Sequence, residues 1–529
     1  MEHSSSCSTN NNINTTDGDS NASIIHVRMI IISVVVTTVT SLVLFVVYKL
    51  RPSPFQQRRR PPKTFAFFHP YASGGGGGER VLWKMIQFLQ QRHQQQTQKQ
   101  QQTQQERQRD SMQQSNSLSI DTMEIVIYTI DPPSTKEYEL RNDAEKRFDV
   151  RIPNPIRLVS LESQKECLQS KPFLSLVMES YGTMKLAQHA LRELKPDVFC
   201  DTTGCAFTFA TVRWMCPTTT IMAYVHYPTI STDMMLWEWN KHDDDSTSSS
   251  PSSLLLLLSR RVKTIVKLIY YWFFAICYGL VGSMADLVMV NSTWTYNHIS
   301  SLWRFSSHPI RIVYPPCRVP DVVDDSFQST KRKRIVVSIG QFRPEKNHKL
   351  QLEAMSRLLT NHPELRSDNP SDPVQLVLIG SCRNEADQTR LQELKDLAKQ
   401  LDLEDHHIVF RVNPPYTELQ AAMTDASVGI HTMRQEHFGI GIVEMMAAGL
   451  LVIAHDSGGP KSDIVQPGVS GFLATTAEEY ADAMYQALTM DKEADAQMRT
   501  NAQQSAIRFS DTEFDKNLDL ALKTIPWWS

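Results

Sequence analysis

The sequence has no CxxC pair and no Cys/His spacing of the zinc-binding kind; its eight cysteines stand singly at 7, 167, 200, 205, 216, 277, 317 and 382. That scatter excludes a disulfide framework or a zinc module and leaves reduced, buried thiols of a cytosolic body. An excess of either charge is also missing. Against 54 Lys+Arg stand 57 Asp+Glu, a formal net charge of −3, which excludes a nucleic-acid binder working through a basic footprint. No Gly-Lys-Ser/Thr phosphate loop occurs. A formal Asp-x-Asp metal motif, Asp243-Asp244-Asp245, sits in a Ser-rich polar insertion and reads as chance. What is present is a chain of 529 residues, 41% hydrophobic and 21% charged, which excludes wholesale disorder and suggests roughly three domains' worth of chain.

One uncharged, apolar run is long. Met29 to Tyr48 is 20 residues, about 30 Å as a helix, one bilayer core. No small-residue cleavage site follows it, so a transmembrane anchor is expected over 29–48 rather than a removed signal peptide. Residues 1–28 form a Ser/Asn/Thr-rich tail expected to be disordered. The linker 49–63 carries Lys49, Arg51, Arg58, Arg59, Arg60 and Lys63, so the body after the helix is expected on the cytosolic side. In a second apolar stretch, about 254–285, Leu254–Leu258 precedes Arg260, Arg261, Lys263 and Lys267, and 18 uncharged residues follow from Leu268 to Ala285, rich in aromatics (Tyr270, Tyr271, Trp272, Phe273, Phe274). A second span, a buried core helix and a helix lying in the membrane interface are all compatible with it; the flanking basic residues and aromatic cluster favour the interface.

Elsewhere short apolar runs alternate with amphipathic helices. Strands are expected at 64–68, 124–130, 156–161, 197–200, 221–226, 286–290 and 311–314, then at 334–339, 374–379, 408–411, 427–431 and 451–455. Helices are expected at about 79–90, 346–360, 385–402, 416–424, 441–449 and 476–489. The Gln-rich stretch (11 Gln in 90–105) and 242–253 read as insertions, the first extending to about 118. This pattern predicts an α/β protein of two Rossmann-like domains with parallel sheets, facing across a cleft, about 64–325 and 326–505. Ligands of such sheets bind at the carboxyl ends of the strands.

The motifs fall at those ends. His69-Pro70-Tyr71-Ala72-Ser73, then Gly74–Gly78 and Glu79-Arg80, joins the first strand to the first helix, where backbone N–H groups and the helix N-terminus can face an anion. Tyr224-Val225-His226-Tyr227-Pro228 ends another strand, putting His226 at the cleft mouth. Gly340-Gln341-Phe342-Arg343-Pro344-Glu345-Lys346 opens the second half; Arg343 and Lys346 can both reach a diphosphate. Glu436-His437-Phe438-Gly439-Ile440-Gly441-Ile442-Val443-Glu444 places two carboxylates eight residues apart among apolar neighbours, where solvation does not explain them. His455-Asp456-Ser457-Gly458-Gly459-Pro460-Lys461-Ser462-Asp463 supplies a turn at the lip of the same pocket.

The Arg343…Lys346 pair with Glu436-x7-Glu444 resembles the retaining glycosyltransferases of family 4, which have the GT-B fold. FFHPY with the glycine run and GERVLW, YVHYP with TISTDM, GQFRPEKNH and EHFGIGIVEMMAAG are similar, more narrowly, to the endoplasmic-reticulum α-1,2-mannosyltransferases acting on lipid-linked oligosaccharides, over about 64–89 and 120–525. The resemblance implies GDP-mannose as donor, a dolichol-diphosphate oligosaccharide as acceptor receiving its fourth and fifth mannoses for N-glycan assembly, and no bound metal or other cofactor. It implies an endoplasmic-reticulum membrane location with a single-pass anchor and a cytosolic catalytic domain, other mannosyltransferases of the pathway as partners, and no nucleic acid. It assigns 64–325 to the acceptor and membrane, 326–505 to the nucleotide sugar, and 506–529 to a C-terminal helix packing back on the first domain. Residue by residue, Arg343 and Lys346 would hold the diphosphate, Glu436 would contact the donor mannose, Glu444 the ribose, and His226 would sit by the donor sugar. Gly340, Gly439, Ile440, Gly441 and Ile442 would line the nucleotide-sugar site, and Gly74–Gly78, with Gly75 and Gly76 among them, the acceptor side or the diphosphate. A transferase using another nucleotide sugar, a non-catalytic membrane scaffold and a two-carboxylate hydrolase are the competing readings.

Overall fold

The computed structural model describes residues 62–110, 123–168, 175–231, 254–320, 332–366, 373–403 and 406–528. The expected anchor at 29–48, the tail before it, nearly all of the basic linker, the Asp243-Asp244-Asp245 insertion and the end of the Gln-rich insertion (111–118) lie outside the described residues.

Two parallel sheets organise the chain. The first orders its strands β3-β2-β1-β4-β5-β6-β7, from β1 (Thr64–Phe68), β2 (Glu124–Thr129), β3 (Arg157–Ser160), β4 (Val198–Asp201), β5 (Thr220–Val225), β6 (Leu287–Val290) and β7 (Ile310–Ile312). The second is β10-β9-β8-β11-β12-β13, from β8 (Lys333–Ile339), β9 (Gln375–Gly380), β10 (Ile408–Val412), β11 (Ala426–His431), β12 (Leu451–His455) and β13 (Gly471–Ala474). Buried parallel strands need apolar residues on both faces, and β1 shows why its sequence is TFAFF. Ala66 and Phe68 join one core cluster, with the helices Ser175–Glu193, Phe207–Met215 and Leu254–Gly282. Phe65 and Phe67 join another, with Val81, Leu82, Trp83 and Met85 of the helix Gly77–Asp110. The second sheet is sandwiched likewise: Leu376 and Leu378 pack to one side, Val377 and Ile379 to the other.

Three features differ from expectation. The first helix does not stop near residue 90 but runs from Gly77 to Asp110. Glutamine is a good helix former, and no Gly or Pro interrupts 79–110. Its start is pinned by Gln90, whose amide exchanges hydrogen bonds with the Asn154 backbone at 2.9 and 3.0 Å. A four-residue edge strand, β13, was too short to stand out, and the helices Glu137–Phe148, Ser175–Glu193, Phe207–Met215, Thr293–Leu302 and Lys492–Ala506 stand where no helix was expected. The helix Leu254–Gly282 serves two surfaces: Tyr270, Phe274, Cys277, Tyr278 and Val281 are core, while Ile265, Ile269 and Trp272 form an apolar stripe 49–58% exposed.

The chain ends on the first domain. Phe514, Leu518, Leu522 and Ile525 enter its core, and Arg80 and Lys84 reach Asp511 and Asp515 at 3.0 to 3.5 Å. Between the domains, Asp463 accepts hydrogen bonds from the Thr293 N–H and the Tyr314 hydroxyl, both at 2.9 Å.

Candidate active site

Between the sheets lies a cavity of about 810 Å³, entered from the carboxyl ends of both. His69 follows β1, Thr202 follows β4, His226 follows β5, Gly340 follows β8 and His431 ends β11; all line it. Glu436 lines it too, in the loop after β11.

Glu436 is the electrostatic centre. Its Oε2 accepts hydrogen bonds from Lys346 Nζ at 2.6 Å and is 3.1 Å from His431 Nε2. Burial alone would raise its pKa, but the His431 hydrogen bond and the Lys346 charge outweigh it and hold the carboxyl far below the ordinary range. The group is therefore ionised at every physiological pH. Lys346 is placed by the turn Pro344–Lys346, and its carbonyl accepts from Thr432 Oγ1 at 2.8 Å. His226 has its Nε2 buried in the cavity without a hydrogen-bond partner. Burial first, and the neighbouring His69 second, push its pKa down to about 3, so it is a neutral imidazole.

The other expected site residues spread further. Gly439, Ile440 and Gly441 line the cavity at the start of the helix Ile440–Ala447, and Gly441 has open space beside it. Ile442, one residue on, is fully buried in the core behind them. Glu444 is not in the lining; its carboxyl faces Arg80 and Arg318 at the junction of the domains, and burial raises its pKa against the pull of those two cations. Arg343 is also outside the lining, its side chain 38% exposed and 3.9 Å from Glu345. Of the glycine run only Gly77 and Gly78 reach the cavity; Gly75 and Gly76 do not.

Residues to which the motifs assign no role complete the site. His431 could have been noticed as a polar strand end, but its contact with Glu436 is a tertiary fact. Tyr227 stacks near His437 (4.2 Å between ring centroids) and lies nearly parallel to Trp294 at 6.3 Å, so an aromatic group from both domains flanks the Glu436 loop. Among the described residues no group of three or more His, Cys, Asp or Glu side chains is arranged to hold a metal ion.

The turn after β12 clamps that loop. Ser457 Oγ accepts the Gln435 N–H at 2.7 Å, and the Gly459 N–H donates to the Glu436 carbonyl at 2.8 Å. A Cβ on Gly459 would stand 2.6 Å from the His437 carbonyl oxygen and 2.7 Å from Phe438 Cα, backbone atoms that cannot swing aside. Gly459→Ala is expected to displace the Glu436 loop and lower turnover about 100-fold, since shifts near 1 Å cost that much. Steady-state kinetics beside a thermal melt checks this: turnover collapses while the folded fraction holds.

Two family models match the chain: ALG11 mannosyltransferase N-terminus over residues 62–303, and glycosyl transferases group 1 over 322–505. Relatives named GDP-Man:Man(3)GlcNAc(2)-PP-Dol alpha-1,2-mannosyltransferase are 39% identical in Xenopus laevis, over 86% of both chains, and in Homo sapiens, over 85% of this chain and 84% of that one. The Dictyostelium discoideum relative of the same name is 37% identical over 85% of this chain and 82% of its own. Among solved structures, Anabaena HepE in complex with UDP and glucose superposes with TM-score 0.53 at 15% identity, covering 88% of this chain and 100% of that one. A UDP-forming trehalose-phosphate synthase from Burkholderia xenovorans gives 0.54 at 11% identity, covering 88% and 99%. These two carry the fold, two parallel-sheet domains in the GT-B arrangement. On the identity and coverage of its relatives, the chain belongs to the ALG11 mannosyltransferase family of glycosyltransferases.

Proposed function

We propose that this chain moves mannose from GDP-mannose to a Man3GlcNAc2-diphosphate-dolichol acceptor in α-1,2 linkage, extending it to Man4 and Man5, with retention of configuration. The Lys346–Glu436–His431 cluster at the foot of the interdomain cleft carries the reading. In the transfer, the bond from mannose C1 to the acceptor oxygen forms as the bond from C1 to the diphosphate breaks. Both events take place on one face of the sugar, and the hydroxyl proton leaves with the diphosphate. Lys346 neutralises the charge developing on the leaving group, aided by Arg343 from the rim. When the diphosphate draws Lys346, His431 still holds Glu436 in place beside the donor mannose. The motif resemblance gives Glu444 the ribose, but its carboxyl faces Arg80 and Arg318 outside the cavity lining, so no part of the transfer rests on it. No metal is assigned a part.

A scaffold of the same fold has no use for a half-buried Lys–Glu–His cluster lining a cavity. The choice of guanine over uracil is tested by calorimetric titration: GDP-mannose binding with UDP-glucose at least 100-fold weaker supports the reading. The reverse order would keep the fold and discard the donor.

The enzyme would act on the cytosolic face of the endoplasmic reticulum, anchored by 29–48. The exposed stripe Ile265, Ile269 and Trp272, with Lys267 among them, would rest at the lipid interface and bring the cleft to its acceptor. Full-length enzyme carrying Ile269→Glu and Trp272→Glu, reconstituted in vesicles, is expected to show a KM for the lipid-linked acceptor raised about tenfold. Its KM for GDP-mannose and its melting temperature should match wild type; an unchanged acceptor KM would remove the stripe from the membrane.

A further inference from the structure

The glycine-rich loop carries an anion of its own. Glu79, in the first turn of the helix Gly77–Asp110, folds back so that Oε2 accepts the Gly76 N–H at 2.7 Å. A Cβ on Gly74 would lie 2.5 Å from Glu79 Oε1, and one on Gly76 would lie 2.8 Å from Oε2. Side chains are thus absent from both positions where this carboxylate needs the space. On its other side Oε1 is 3.7 Å from His69 Nε2, and His69 Nδ1 is hydrogen-bonded to Thr202 Oγ1 at 2.7 Å.

A carboxylate in that seat uses the N–H a phosphate would need, and it repels a diphosphate by like charge. The cation suited to the diphosphate, Lys346, belongs to the other domain. The loop is therefore arranged for a partner that donates hydrogen bonds, which is what a sugar hydroxyl does. Glu79 is open to that partner: its side chain lines the cavity and is 17% exposed. It stands where the two halves of the site meet. A Cβ on Gly77 would lie 2.7 Å from Ile440 Cδ1 across the cleft, and one on Gly78 would lie 3.6 Å from the unpartnered His226 Nε2.

We propose that Glu79 is the hydrogen-bond acceptor that positions a hydroxyl of the acceptor sugar in the cleft, with the Gly76 N–H, His69 and Thr202 fixing its carboxylate. The inference rests on the mannosyl-transfer reading above. Glu79 takes no proton. Burial raises its pKa, but the His69 contact and the backbone N–H groups leave it below the ordinary carboxylate value. It is a fixed acceptor rather than a base, and the attacking hydroxyl's proton still leaves with the diphosphate.

The test uses full-length enzyme with GDP-mannose and the lipid-linked trimannosyl acceptor, comparing wild type, Glu79→Ala and Glu79→Gln. Three quantities are read: kcat/KM for the acceptor, the Kd for GDP-mannose, and the slow hydrolysis of GDP-mannose without acceptor. Glu79→Ala is expected to lower kcat/KM for the acceptor about 100-fold. Donor Kd and hydrolysis should stay within about twofold, because the diphosphate site is untouched. Glu79→Gln, whose amide oxygen still accepts a hydrogen bond, is expected to recover about tenfold. A purely structural role would lower hydrolysis and transfer together and give no rescue by glutamine. Equal transfer by wild type and Glu79→Ala overturns the inference, and so does a donor Kd that changes in step with transfer. A wild-type enzyme that fails to transfer from GDP-mannose defeats the functional reading itself, and this inference with it.

Discussion

Glu436→Ala is expected to lower the rate of mannose transfer about 10³-fold, the largest activity loss of any single substitution in the cleft, while GDP binds at least as tightly as before. The split follows from the geometry. In the wild type, Lys346 Nζ is hydrogen-bonded to Glu436 Oε2 at 2.6 Å, so a bound diphosphate must compete with that carboxylate for the cation. Removing Glu436 leaves Lys346 free for the nucleotide but takes the only ionised carboxylate of the cluster away from the reacting sugar. Parallel measurement of turnover and of the GDP Kd checks both halves. Weakened GDP binding together with a lowered melting temperature would instead make Glu436 a structural residue. The pH behaviour follows the same cluster. A carboxylate whose folded pKa is depressed contributes stability above its unfolded value, about 4.3 for glutamate, and loses it as pH falls through the lower folded value. Between pH 5 and 8 this contribution is therefore constant, and an acidic limb in that window belongs to other groups.

Asp286→Ala is expected to destabilise the first domain by about 3–5 kcal/mol, the largest stability loss among its side chains. Asp286 is fully buried at the head of β6. Its Oδ2 accepts from Arg213 Nη2 at 2.6 Å and from the Ile221 N–H at 2.8 Å. Arg213, itself 7% exposed, also donates to the carbonyls of Thr219 and Met284, both at 2.8 Å. It thereby ties the helix Phe207–Met215 to the end of the helix Leu254–Gly282. Without Asp286 the buried guanidinium loses the carboxylate 2.6 Å away, and the Ile221 N–H loses its acceptor. Denaturant unfolding of Asp286→Ala beside Asp286→Asn separates the two losses, since the amide oxygen keeps the N–H satisfied and restores only that part.

The parallel sheets were legible because their strands are continuous apolar runs bounded by turns. Every strand but β13 begins within one residue of the run that predicts it. β13 has four residues, two of them only half buried, at a sheet edge that needs no long apolar segment. The Gln-rich helix was hidden for the opposite reason: low complexity suggests an insertion, while glutamine's helix propensity acts residue by residue without an apolar face. Of the cavity lining, Lys346, Glu436 and His226 were legible because motif spacing and strand ends mark them. His431 was not marked, and Tyr227 and Asp463 stood in motifs without a role, because each acquires its meaning from a partner in another element. Asp463 meets Thr293 across 170 positions of sequence. Glu79 was in view as part of a motif whose glycines were open to either the acceptor side or the diphosphate. Only the Gly76 N–H pointing into its carboxylate shows that the loop holds a different anion.

One measurement bears most directly on the central claim, that the cleft around Lys346, Glu436 and His431 transfers mannose. Full-length enzyme is incubated with labelled GDP-mannose and the trimannosyl lipid-linked acceptor, beside the Glu436→Ala variant, and the released oligosaccharide is sized before and after α-1,2-mannosidase. The account predicts products one and two mannoses longer, trimmed back by the mannosidase and absent from the variant. Label transfer that persists in Glu436→Ala, or none from GDP-mannose by the folded wild type, would contradict it.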